Sequence, residues 1–441
     1  MQLGAERLAE ELLLLSNDTP SVADRIDYII SSSRENISRF EVQLEELSDS
    51  GFYDWRMSSD YAHQLSHLIE NLKGSVENPC EGVVWISRFF EKDHQIMESC
   101  DDSYGEVSGI FLGEATECFI YFAKRCDDKK RVGEQLLDLV LDNDYGVRDQ
   151  LIESVSQFMP VKWLRWLVDQ LWSYEDGEDC MASTHRTVLL KSLAKQLKDA
   201  ALYEQVVVEG DLSFSDCLDI AQVYLDCGDA EKASGWIDQA DQEYPSENHF
   251  RLYDYREIRR EICHQLGDRS GEEEMAWAIF RQSRSLRALN VLLQTLGEVH
   301  RDRVIAQEVE QILGGSADHL VEQDVSFLLE LGKAGLAEQY LMARTALLKT
   351  VFYGVLTTWG NQLKERPLLA SLIYRALLND ILDQGKSKAY HHAVDYWIEL
   401  QHLSPGVEMW EPYLTDVQFQ QQIKQKHGRK WSFWKQLDER G

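Results

Sequence analysis

The stretch from Phe214 to Pro245, FSDCLDIAQVYLDCGDAEKASGWIDQADQEYP, constrains the fold of this chain more than any other segment. Ala221 and Tyr224 fall on one helical face, Gly228-Asp229 supplies a turn, and Ala233, Ile237 and Ala240 recur on one face of a second helix, which Pro245 stops. Small side chains at these spacings let two antiparallel helices approach closely, and a proline just past the second helix cannot continue it. The pattern predicts a helix hairpin, an element that leaves one apolar face open for a neighbour to cover.

The same periodicity runs through most of the sequence. Tyr61, Leu65, Leu68, Ile69 and Leu72 follow i, i+4, i+7, i+8, i+11, the mark of a one-sided helix. Helices are predicted over 83–90, 111–122, 132–141, 163–172 and 188–197. Gly332, Ala337 and Leu341 repeat the spacing of Gly228, Ala233 and Ile237, and Leu266-Gly267-Asp268 before Ala276, Trp277 and Phe280 reads as a further pair. The repeat period drifts, so the array is degenerate. The one β-branched run, Val206-Val207-Val208, is too short to found a sheet. The predicted class is therefore all-α: an irregular helical N-terminal domain over 1–180, ended by the acidic loop Glu175 to Cys180, then an α-solenoid of tetratricopeptide-like hairpins over 181–441.

With 441 residues, 44% of them hydrophobic, and 12 Trp, 18 Tyr and 15 Phe, the chain is too apolar to be disordered. Its formal charge of −31 opposes non-specific adhesion to nucleic acid or anionic membranes. An acidic total is the ordinary state of a solvated surface; the sharper alternative is a mimic of the DNA phosphate array. The start MQLGAERLAEELLLL reads as an amphipathic helix and lacks the features of a secretory signal. No run approaches the roughly 18 apolar residues of a membrane span. Eight scattered cysteines form no Cys-x-x-Cys pair, so a reducing cytoplasm is the expected location and several thiols are expected to act as small hydrophobes.

The segment from Leu368 through Leu378, the stretch Lys386 to Ala393 and the terminal His427-Gly428-Arg429-Lys430-Trp431-Ser432-Phe433-Trp434 together resemble an uncharacterised bacterial family catalogued as a domain of unknown function, with tetratricopeptide-like repeats. Two aspartate-glycine turns, Asp101 to Gly105 and Asp142 to Gly146, fit the same resemblance, which covers most of the chain. Some relatives of the family's helical part accompany SWIM-type zinc fingers. This chain lacks the Cys-x-Cys and Cys-x-His pairs of such a finger. The resemblance implies a fold and carries no reaction, cofactor or ligand.

Signatures of common chemistry are missing: no phosphate-binding loop, no dinucleotide fingerprint, no His-Glu-x-x-His. No cofactor is expected. His63 and His67 share a helical face and would need a third ligand such as Glu70 to hold a metal; such a pair is more commonly surface histidine. His391 and His392 are expected to point to different sides of a helix. The aspartate-glycine turns offer oxygen ligands for a cation, against the alternative of helix capping, which their spacing favours. Ser21 with Asp24 resembles a capping box.

The tail reverses the sign of the chain's charge. Lys424, Lys426, His427, Arg429 and Lys430 precede Trp431 and Trp434, and Lys435 follows. Cations beside aromatics can grip nucleic acid, dock on an acidic protein surface, or simply face outward from packed rings. Lys424, Lys426, His427, Arg429, Lys430, Trp431 and Trp434 are the candidate partner-binding site. The leading expectation is a non-enzymatic cytoplasmic scaffold presenting a helical-repeat surface to a protein partner. The alternative is an accessory subunit of a nucleic-acid-handling or genome-defence complex. A hydrolase or metal enzyme in the N-terminal half is the third reading.

Overall fold

In a computed structural model, the structure describes residues 31–143, 145–174, 180–245 and 250–440, with the isolated positions 4, 7, 14 and 26. The amphipathic helix expected at the start, the Ser21–Asp24 box, and residues 175–179 of the acidic loop lie outside the described residues. Among those described there are helices and turns with one isolated β-bridge, Tyr53 to Cys100, and no strand. The expectation of an all-α chain of helix pairs holds, and no described helix is long and apolar enough to cross a membrane. The chain divides into two compact units, 1–245 and 246–441.

The first unit gathers a core of aromatics from consecutive helices. Tyr61, Leu65, Leu68, Ile69 and Leu72 of the helix Ser58–Ser75 are all buried, as their spacing predicts. Phe111 packs at 4.9 Å from Phe89 and 5.9 Å from Phe90 between ring centroids. At Phe111–Ala115 the helix widens to a π turn, and the Thr116 hydroxyl donates to the Phe111 carbonyl at 2.8 Å. A local π segment leaves a carbonyl short of its usual partner, which a side-chain hydroxyl can supply. A bidentate ion pair sits inside this core. Arg148 Nε and Nη2 lie 2.7 and 2.6 Å from the Asp93 oxygens, and Nη1 donates to the Leu139 carbonyl at 3.0 Å.

The domain boundary expected at 180 falls within this unit. The helix Cys180–Leu197 buries Leu189, Leu190 and Leu193 in the first core, and Gln196 Nε2 donates to the Ile152 carbonyl at 2.6 Å. The helix that follows the acidic loop therefore belongs to the first core. Val206-Val207-Val208 ends the helix Ala200–Val208. The hairpin that opened the sequence argument then closes the unit as Phe214–Asp226 and Ala230–Glu243. Ala221, Ala233 and Ala240 are fully buried between the two helices. Gly228 takes the left-handed conformation at φ 82°, and the Asp229 side chain accepts the Lys232 amide at 3.1 Å, ending one helix and starting the other.

The second unit repeats the left-handed glycine at Gly267 and Gly332, with a capping aspartate, Asp268, after the first, and Ala337 and Leu341 are buried where their spacing predicts. Its core runs from Phe280 and Phe327 to Trp359, Tyr374 and Phe433. Buried charges are frequent. Glu308 is fully enclosed and accepts from Arg281 Nη2 at 2.9 Å and Arg284 Nε at 3.1 Å; Arg284 also pairs with Asp324. Arg344 is buried against the Tyr340 ring and donates to four backbone carbonyls: His319 at 2.7 Å, Tyr340 at 3.0 Å, and Gly315 and Ser316 at 2.8 Å each.

Candidate functional site

The basic tail forms two helices, Asp416–His427 and Trp431–Arg440. Thr415 and Gln418 cap the first reciprocally, which fixes where it starts. The residues predicted as one recognition strip divide into packed and free groups. Phe433 is fully buried, and Trp434 meets Trp397 edge-on at 5.6 Å while its indole N–H donates to the His427 carbonyl at 2.9 Å. Trp431 is the opposite, 71% exposed, with Lys435 Nζ 5.2 Å over its ring. Lys426 Nζ and His427 Nε2 lie 2.6 and 3.0 Å from the same Asp383 oxygen. Burial pushes the His427 imidazole below its ordinary pKa, and Asp383 opposes that shift. Lys424 and Arg429 are exposed, Lys430 is half-buried, and none of the three has an ion pair among the described residues. Arg440 pairs with Asp395.

Lys426 and Asp383 also line a cleft of about 600 Å³. Its walls are the turn Thr345–Thr350, the helix Pro367–Gln384, residues 413–414 and the helix Asp416–His427. Arg375, 6% exposed, lies in this wall. Its guanidinium carbon is 4.3 Å from the Trp410 ring centroid and 4.6 Å from that of Phe419, and Nη1 donates to the Leu414 carbonyl at 2.7 Å. Its Nε and Nη2 are buried and have no hydrogen-bond partner. Loss of hydration drives the guanidinium down to about 10, with the nearby Asp416 acting the other way. Asp416 accepts from Gln420 Nε2 at 2.7 Å through Oδ2, and its Oδ1 is buried and unpartnered. Burial raises the Asp416 carboxyl above the usual range.

Other acids of the cleft are engaged. Asp380 receives Lys386 Nζ at 2.9 Å and also Gln384, while Asp383 holds Lys426 and His427. Lys349 on the rim is exposed and has no ion pair among the described residues. Arg375 and Lys349 were not singled out by the sequence reading. A signal existed: Arg375 is the one charged residue between Pro367 and Asn379, a stretch otherwise suited to full burial.

The remaining sequence candidates resolve as structural features. Both oxygens of Asp102 accept backbone amides, from Val107 at 2.8 Å and Ser108 at 2.9 Å, and Asn143 accepts the Arg148 amide at 3.4 Å, so these turns cap helices. Asp144 lies outside the described residues. His63 and His67 are exposed, and His67 Nδ1 sits 3.8 Å from Glu70. His391 and His392 do not diverge as expected: their ring centroids are 4.0 Å apart. Both are exposed in the first turn of the helix Tyr390–Leu403, where adjacent side chains have room to swing together. No group of three metal-ligating side chains occurs among the described residues. The cysteine reading needs one correction. Cys80 and Cys126 are joined in a disulfide, with Cα atoms 4.8 Å apart, because the packing of the helices Pro79–Phe90 and Thr116–Arg125 brings together positions 46 apart in sequence. Cys118 and Cys217 are buried free thiols, pushed up to about 12 and about 11 by loss of hydration, and are inert at neutral pH.

No curated protein matches this chain. Among solved structures it is similar to a circular tandem repeat protein with novel repeat topology and enhanced subunit contact surfaces, at 15% identity over 92% of this chain and 96% of that chain. The TM-score of 0.23 is too low to carry an argument about either fold or function. The model of DUF6880, a family of unknown function, matches residues 1–204 and 178–436. That match bears out an uncharacterised family and says nothing of tetratricopeptide kinship or of SWIM relatives. With both matched spans together covering nearly the whole length, the chain belongs to DUF6880, a family of unknown function.

Proposed function

We propose that this protein is a non-enzymatic helical-repeat scaffold that binds a protein partner, and that the cleft beside the helix Pro367–Gln384 is its principal binding surface. The observation that carries this reading is the cleft's charge state: its acids are matched internally, whereas Arg375 and Lys349 are not. The Asp93–Arg148 pair and the Glu308 cluster, by contrast, commit their buried charges to packing. Hairpins nested through Ala221, Ala233 and Ala240 support kinship with tetratricopeptide-like arrays, which present surfaces to other proteins. A cytoplasmic location belongs to the same reading. The Cys80–Cys126 disulfide is its check, since a reducing compartment disfavours such a bond.

Affinity capture of the intact protein from its native cell, followed by mass spectrometry, tests the scaffold. A stoichiometric protein partner is expected, and its recovery should fall when Lys349 is changed to Glu. Measured turnover of a substrate with no partner recovered would overturn the reading.

A second reading has its own support. Lys424 and Arg429 are exposed without ion pairs beside the exposed Trp431, an arrangement suited to phosphate contact and base stacking. It predicts salt-dependent DNA or RNA binding that collapses in the double variant Arg429→Glu, Lys430→Glu. Binding that is absent, or indifferent to salt, removes it.

A further inference from the structure

Arg375 combines features that a purely structural arginine does not need. Two aromatic rings pack against its guanidinium and one carbonyl takes Nη1, which together hold the group in place. What remains unmatched is the Nε–Nη2 edge. On that edge two N–H bonds run parallel, the spacing that fits the two oxygens of one carboxylate. Nothing in the wall completes it. Asp383 and Asp380 are engaged by Lys426, His427, Lys386 and Gln384, and Asp416 forms no ion pair with Arg375. Lys349 adds an uncommitted cation at the same cleft.

We propose that this cleft takes a carboxylate, gripped by the Nε–Nη2 edge of Arg375 with Lys349 as the second cation, and that a protein partner presents it on an acidic side chain. The carrier rests on the scaffold reading above; the carboxylate chemistry does not. The Nε–Nη2 edge is closed to bulk water, so entry requires the non-helical segment 407–415, which carries Trp410 and Leu414, to give way. Asp416 competes electrostatically with the incoming group.

Calorimetric titration of the full chain tests this with three probes: sodium succinate, a capped Ala-Ala-Glu-Ala-Ala peptide, and its glutamine twin. The glutamate peptide should bind saturably with a Kd at or below about 1 mM, and the glutamine peptide should not. Arg375→Lys keeps the charge and loses the paired N–H groups, so affinity should drop about tenfold or more. Lys349→Ala should weaken binding by a smaller factor, and Asp416→Asn should strengthen it. Should Arg375→Lys fail to fold by circular dichroism, the exposed Lys349 and the Asp416 variant decide the matter. Equal binding of the two peptides, no saturable heat from any probe, or binding unchanged by these substitutions overturns the proposal. Binding of succinate without the glutamate peptide overturns the protein carrier, and leaves affinity capture as the separate test of the scaffold.

Discussion

Asp93–Arg148 in the first unit and Arg375 with Asp416 in the second use the same residue types, with both arginines buried, and reach opposite outcomes. Arg148 engages through all three nitrogens, two of them on one carboxylate. Arg375 engages through one, and the aromatic rings of Trp410 and Phe419 pack against the guanidinium. A guanidinium can therefore be taken out of water either by completing its hydrogen bonds or by packing it against aromatic rings. The first route fixes a fold. The second shelters the charge and leaves two of its directional donors unmatched.

Removing a partner should separate the two cases most clearly. Asp93→Ala leaves Arg148 buried and uncompensated, and should destabilise the protein by about 3–5 kcal/mol in denaturant titration. An effect below about 1 kcal/mol would mean that the pair does not hold the first core. Arg344→Met should cost on the order of 3 kcal/mol, since four carbonyls lose their donor together. Arg375→Met should change stability by less than about 1 kcal/mol in either direction, because the native site already leaves two donors unmet. A loss as large as that of Asp93→Ala would erase the contrast. The smallest expected effect is a pH dependence. His427 has a folded pKa below its ordinary value of 6.5, so the unfolded chain binds the extra proton more readily. Its contribution to stability is present above about 6.5 and declines as pH falls through the window below that value. His427→Gln should flatten this acid-side decline in thermal melts recorded across the window.

The hairpins were legible because their determinants are local. Gly228-Asp229 terminates one helix and caps the next within a few residues, and Ala221, Ala233 and Ala240 declare the close approach. The candidate site was only half legible, for the opposite reason. Lys426 was noticed as part of a basic run, but its neutralisation by Asp383 depends on a helix some forty residues earlier in the chain. Arg375 and the Leu414 carbonyl are 39 residues apart, as far beyond periodicity as the Cys80–Cys126 bond. The domain boundary failed on the same ground: an acidic loop looks like a linker until the next helix is seen to rejoin the earlier core.

Arg344 has a consequence for how freely the chain can vary. The carbonyls it collects from Gly315, Ser316 and His319 belong to the backbone, which every amino acid supplies alike. The loop's shape is thus dictated from outside its own sequence. Substitutions at 315, 316 and 319 that respect the backbone angles should be tolerated, whereas position 344 should not accept even lysine, whose single ammonium cannot reach acceptors spread around a planar fork.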